Sequence, residues 1–174
     1  FQVSLPLSES GTRMFLARSP ESFPIVMAAY REAMGRELKS LCEAVPPEDL
    51  AVQWDIAIEV LATETGDINP NIGMPWDAPG DPLERYVEEV AALSPLLPEE
   101  ALLGLHLCYG DIGHQHSIQP KDLSVVTKMA NAAVPRAGRT VDFVHFPVPR
   151  DRHDDAYFAP LKQLSIGDTK PFIG

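Results

Sequence analysis

A chain of 174 residues, 45% hydrophobic and 22% charged, has the size and composition of one globular domain, which excludes a wholly disordered polypeptide. Fourteen Lys and Arg against 25 Asp and Glu leave a formal charge of −11, a surface that repels phosphate backbones and anionic lipid and so argues against nucleic-acid and membrane partners. No apolar run reaches the roughly 20 residues of a bilayer span and no signal-peptide pattern opens the chain; two cysteines, Cys42 and Cys108, make no disulfide framework, so a reducing, cytoplasmic home is expected.

Phe1 to Pro6 alternates apolar and polar residues as a short strand does, and Pro6 closes it. Ser8 to Ser19 is polar and carries Gly11, which predicts a loop. Ser22 to Ala44 is the clearest helix, with Ile25, Ala29, Ala33, Leu38 and Leu41 on its apolar stripe and Pro46-Pro47 ending it. Asp49 to Asp55 reads as a buried strand with a polar tip, and Ile56 to Leu61 reads equally as its end or as the start of a helix. Asp67 to Pro82, rich in Pro, Gly, Asn and Asp, is a long loop. Then come a helix over Pro82 to Leu93, a strand over Ala101 to Tyr109, and a helix over Pro120 to Ala133 with Pro at its first position. A strand over Val141 to Phe146, a short helix over Asp154 to Leu164 and a strand over Thr169 to Ile173 complete the chain.

The order βαβαβαβαβ, with nearly continuous apolar strands, predicts a parallel sheet with helices packed outside it. Five such strands suit an open sheet or five-eighths of a (β/α)8 barrel, and neither GxGxxG nor a P-loop occurs to favour a nucleotide fold. Phe1 stands inside an apolar run and Lys170 to Gly174 reads as a strand just beginning, so a section of a longer protein is expected.

In parallel α/β architectures, active sites gather at the carboxyl ends of the strands. There stand Ser4 and Ser8, then Gln53, Asp55 and Glu59, then His106, Cys108, Tyr109, Asp111, His114 and His116, and finally His145, Arg150, Asp151, Arg152 and His153. His106 and Cys108, two residues apart, share one face of a strand; an imidazole and a thiol so placed form half of a tetrahedral zinc site, and a core histidine beside an inert cysteine gives the same pattern. Asp55 ends an apolar strand, where a carboxylate suits a substrate ammonium, general-base work or the capping of the next turn. Arg150 and Arg152 suit a carboxylate or phosphate clamp, although so dense a charge run also reads as a solvated loop. Trp76 is expected as an aromatic ligand wall, and Trp54 and Cys42 as core.

Leu5-Pro6-Leu7-Ser8, Tyr30-Arg31-Glu32, Gln53-Trp54-Asp55-Ile56-Ala57 and His106-Leu107-Cys108-Tyr109-Gly110-Asp111 stand in this order along the chain. Together they resemble the catalytic barrel of cobalamin-independent methionine synthase, in the superfamily it shares with uroporphyrinogen decarboxylase. There the corresponding segments read Gly-Pro-Val-Thr, Arg-x-Glu-Val, Gln-x-Asp-Glu-Pro-Ala and His-Met-Cys-Tyr-Cys-Glu. The resemblance implies that His106 and Cys108 are two of four zinc ligands and that Asp55 holds the amino group of a homocysteine-like thiol. The family's third ligand, a Glu at the end of the next strand, falls at Pro147; His145, two residues earlier on the same face, could substitute for it, or the site binds no metal. Its fourth, a Cys on the last strand, lies beyond the chain. The Glu after Gln-x-Asp stands here as Ile56 and the second Cys of Cys-Tyr-Cys as Gly110.

The resulting expectation is an α/β chain of (β/α)8 TIM-barrel type, a single domain over residues 1–174 that carries five of the eight βα units of a methionine-synthase-like barrel. Its activity would be methyl transfer to a thiol activated by zinc, with a folate-type methyl donor as co-substrate. Asp55, Asp111 and His145 would be catalytic; Ser4, Gln53, Asp55, Tyr109, Arg150 and Arg152 would bind substrate; His106 and Cys108 would hold the metal. Two other readings stand beside it: a metal-free decarboxylase or lyase of the same superfamily, and a non-catalytic barrel section that assembles as a homo-oligomer through its exposed sheet edges.

Overall fold

The computed structural model describes the chain except residues 14, 15, 17, 18, 68–73, 75 and 112. Five strands, β1 (Gln2–Pro6), β2 (Ala51–Ile56), β3 (Leu102–Leu107), β4 (Phe143–Phe146) and β5 (Lys170–Ile173), pair in chain order into one all-parallel sheet. The helices between them are α1 (Ser8–Thr12), α2 (Phe23–Ala44), α3 (Ile58–Thr65), α4 (Pro82–Leu93), α5 (Ser124–Ala133) and α6 (Asp155–Phe158). Among the described residues, no helix is long and apolar enough to cross a membrane.

Strand alternation divides the sheet into two unlike faces. Val52, Trp54, Ile56, Leu103, Leu105, Leu107, Val144 and Phe146 are fully buried and form one core with Tyr86, Val90, Val126, Met129 and Tyr157 from the helices. The opposite face, apart from the buried Gly104, is half-buried or exposed. Register aligns its side chains in rows: Ser4, Gln53, Gly104, Phe143 and Lys170 in one, and Pro6, Asp55, His106, His145 and Phe172 in the next toward the strands' carboxyl ends. Gly104 is required in the first row. A Cβ there would fall inside the Phe143 ring, which lies across β3.

Most elements fall where expected, and the departures have physical causes. Helix α4 begins at Pro82 because the Asp81 carboxylate accepts the Glu84 N–H at 3.1 Å and Pro82 needs no donor partner. Ile56 closes β2, and Ile58 opens α3, which resolves the ambiguous segment. The loop expected over Ser8 to Ser19 instead begins with α1, and Gly11 serves contact rather than flexibility: a Cβ on it would stand 2.6 Å from the Tyr30 ring of α2. Ile25 and Ala29, expected on the apolar stripe of α2, are exposed; the stripe is Phe23, Met27, Met34 and Leu38, continued by Leu41 and Cys42. Pro120 does not open α5, which starts at Ser124, whose N–H is accepted by the Asp122 carboxylate at 2.8 Å. The helix expected over Asp154 to Leu164 changes after one turn into a 3-10 segment, Ala159–Gln163, because Pro160 cannot donate to the α ladder.

Candidate functional site

The carboxyl ends of β2, β3 and β4 bring together the residues with the most distinctive chemistry. Asp55 is the register partner of His106, and the Cys108 N–H continues the ladder by donating to the Ile56 carbonyl at 2.8 Å. Cys108 therefore follows His106 on the open face. A carboxylate oxygen of Asp55, a ring nitrogen of His106 and the sulfur of Cys108 all lie within 4.8 Å of one another, and they are the group with metal-ligand spacing found among the described residues. His106 and Cys108 open onto a cavity of about 730 Å³ whose lining also includes Asp111, His114, His116, Arg150 and Arg152.

The electrostatics of the three groups suit a cation. The Oδ1 of Asp55 is buried and has no hydrogen-bond partner among the described residues. Burial pushes the Cys108 thiol up; the Gly110 N–H, donated to its sulfur at 3.2 Å, pulls it back, and the Asp55 and Asp111 carboxylates push it further up. Burial lowers the pKa of His106, against the pull of Asp55, so its ring is neutral and keeps a lone pair. Thiolate, imidazole and carboxylate are the donor set of zinc, and a spot where anionic groups crowd in a desolvated pocket gains most from a divalent ion. The donors present fit the metal that the motifs imply.

His145 does not add a fourth ligand atom to this group. Its Nδ1 lies 2.7 Å from the Nδ1 of His106, and its Nε2 lies 3.2 Å from the main-chain oxygen of Gly174. The planes of the two imidazoles are nearly parallel, at 16°, with centroids 4.8 Å apart. Face-to-face stacking would keep ring atoms about 3.5 Å apart, so a 2.7 Å approach means that the rings meet edge to edge, as an N–H···N hydrogen bond requires.

The other expected site residues divide. Arg150 is exposed on the cavity wall. Arg152 is engaged, pairing with Asp154 at 2.9 Å and lying 4.2 Å over the Tyr157 ring. Asp111 is exposed on the cavity wall. Ser4 and Gln53 lie one row below Asp55 and bond to each other, the Gln53 amide donating to the Ser4 hydroxyl at 3.2 Å. Tyr109, expected to bind substrate, is a correction: it is fully buried among the helices, with its hydroxyl 3.4 Å from Glu64. Strand parity puts it on the face opposite His106 and Cys108. Trp76 is a second correction, for it does not line this cavity. It packs edge-on against Phe23 at 5.7 Å, with the Arg13 guanidinium 4.8 Å from its ring. Gly110 takes φ +73°, and a Cβ would collide with the Ser117 side chain, so this position turns the chain out of β3 rather than presenting a side chain to the site.

Sequence reading named Glu59 among the strand-end polar residues but missed the rest of a second polar cluster, at the carboxyl ends of β1 and β2 on the helical side. Glu59 accepts the N–H groups of Glu9 and Ser10 at 2.9 and 3.1 Å, capping α1, while the Ser10 hydroxyl accepts the N–H groups of Ala57 and Ile58 at 2.8 and 3.0 Å, capping α3. The two helices thus cap each other, which explains why a five-residue helix forms at all. Beside them Arg13 and Arg85 share the Asp67 carboxylate, each at 2.6 Å, and both also reach Glu9. No local pattern marks this cluster, because its members lie up to 76 residues apart.

Burial, reinforced by the neighbouring Glu9 carboxylate, raises the Glu59 pKa from 4.5 to about 7. The folded protein therefore holds that proton longer than the unfolded chain, so the contribution of Glu59 to stability falls as pH rises from about 4.5 to about 7. The expected result is that the stability of Glu59→Gln relative to the parent rises by about 3 kcal/mol across that interval, measured by urea denaturation at several pH values. A difference that does not change with pH would show that Glu59 is ionised throughout.

Comparison of the chain with family models, with curated proteins and with solved structures finds no match.

Proposed function

We propose that the chain is the catalytic section of a (β/α)8-type, zinc-dependent enzyme that transfers a methyl or related one-carbon group to a thiol. The observation that carries this reading is the approach of the Asp55, His106 and Cys108 donor atoms to within 4.8 Å at the carboxyl ends of adjacent parallel strands. Parallel strands in chain order, with helices on one face and polar groups at the carboxyl ends, support the barrel part of the proposal. Three protein ligands are what catalytic zinc sites use, leaving one coordination position open. When bound there, zinc supplies a lowered pKa for a substrate thiol.

The residues of the chain account for the remaining needs. Arg150, the cavity cation that forms no hydrogen bond or ion pair among the described residues, binds a substrate carboxylate. Asp111, which lines the same cavity, is the carboxyl group this reading assigns to protonating the departing nitrogen of a folate-type donor. The loops carrying His114, His116 and Arg152 line the cavity. Unlike the resembling family, where the carboxylate at this point holds the substrate's amino group, this reading assigns Asp55 to the metal, because one of its oxygens lies within 4.8 Å of the His106 and Cys108 donor atoms.

The test is titration of the chelator-washed protein with zinc. One equivalent bound with a sub-micromolar Kd is expected, followed by zinc-dependent methylation of homocysteine-like thiols. Absence of zinc binding in a folded protein would overturn the reading and favour the metal-free decarboxylase or lyase, in which Arg150 would hold the substrate carboxylate and Asp55 would act as the base.

A further inference from the structure

The His106–His145 contact determines which nitrogen of His106 can bind a cation. The main-chain oxygen of Gly174 can only accept, so the Nε2 of His145 donates to it across 3.2 Å. That oxygen is held in place by the sheet: it also accepts the Val148 N–H at 3.3 Å, and the Gly174 N–H donates to Phe146 at 3.2 Å. A neutral imidazole carries one N–H, so with its proton on Nε2 the Nδ1 of His145 is an acceptor. Two ring nitrogens at 2.7 Å need one proton between them, and that proton belongs to the Nδ1 of His106. Both nitrogens of His145 are then engaged and neither has a lone pair left for a metal. On His106 the free lone pair is on Nε2.

We infer that His145 is a positioning residue: by accepting the Nδ1–H of His106 it holds that ring in the tautomer whose Nε2 is open to a cation, and it does not itself bind the ion. The cation half of this inference rests on the proposed function, whereas the tautomer half stands on the hydrogen-bond geometry alone. It gives His145 the role that carboxylates and carbonyls commonly play behind metal-binding histidines.

Two variants separate this role from direct ligation. In His145→Asn the amide oxygen stands where Nδ1 accepts; His145→Leu removes the acceptor while keeping bulk. Long-range ¹H–¹⁵N spectra of the metal-free protein, with His106 assigned by its own substitution, should show the Nδ1–H tautomer in the parent and in His145→Asn, and its loss in His145→Leu. Zinc affinity should be unchanged within a few-fold in His145→Asn and about 10- to 100-fold weaker in His145→Leu. An Nε2–H tautomer of His106 in the parent protein, or equal loss of affinity in both variants, would overturn the inference. Should His145→Leu fail to fold, the tautomer in the parent and in His145→Asn still decides it. The Nδ1–H tautomer in a protein that takes up no zinc would overturn the metal reading and leave the positioning role standing.

Discussion

Cys108→Ser should lower zinc affinity by more than about 100-fold. Losing a partner behind a metal ligand already costs about 10- to 100-fold, and Cys108 is the only sulfur among the three donor groups. Serine keeps the shape but not the soft donor: its hydroxyl does not ionise at neutral pH, whereas a cysteine sulfur facing a cation does. Cobalt substitution gives a direct readout, because the sulfur-to-metal charge-transfer band should be present in the parent and absent from the variant. Asp55→Ala should also weaken binding while keeping the band, since it removes an oxygen and not the thiolate. Cys42→Ser is the control. Cys42 packs beside the core from α2, and its substitution should leave both affinity and spectrum unchanged. Parental affinity in Cys108→Ser would remove the sulfur from the site.

Arg85→Met should destabilise the fold by about 3–5 kcal/mol, the range for stripping one partner from a buried ion pair. The Arg85 guanidinium reaches Glu9 at 2.7 Å and Asp67 at 2.6 Å, and it donates to the Gly80 carbonyl at 2.7 Å. Its removal leaves the two carboxylates, at most 9% exposed, with Arg13 alone between them. For a domain stable by about 5–15 kcal/mol, that is a large share of the total. Urea denaturation followed by circular dichroism measures it, and a change below about 1 kcal/mol would show that water or local relaxation compensates. Arg85→Lys should recover part of the loss, because a single ammonium restores the charge but cannot span three acceptors. Arg85 and Arg13 also tie Pro79, Gly80 and Trp76 to Asp67 through main-chain oxygens, so the same variant should make the chain around residues 76–80 more accessible to protease.

Much of the architecture was legible in local pattern. Asp81-Pro82 marks the start of α4 because a capping carboxylate and a residue with no N–H suit a helix N-terminus wherever the helix lies. Strands β2 and β4 were legible because they alternate buried apolar residues with half-buried ones, as a sheet covered by helices on one face requires. Helix α1 was not legible: five residues including a glycine have no helical preference, and its caps come from Glu59, 50 residues away. Nor was the burial of α2, a helix in contact with the core along only part of its length, so that Ile25 can remain 73% exposed. The placement of Tyr109 was available from parity alone, since it is an odd number of residues from His106.

The sequence by itself determined the α/β class, the chain order of strands and helices, and the pairing of His106 with Cys108 on one face, because alternation along a strand is a local property two residues long. Tertiary structure alone decided that Asp55 joins them, that His145 meets His106 through Nδ1, and that Glu9, Arg13, Glu59, Asp67 and Arg85 share one buried cluster. Those contacts depend on the register between strands and on the seating of helices over them. Both are set by how the whole buried face packs, and a shift of one residue would send every side chain of a strand to the other side of the sheet.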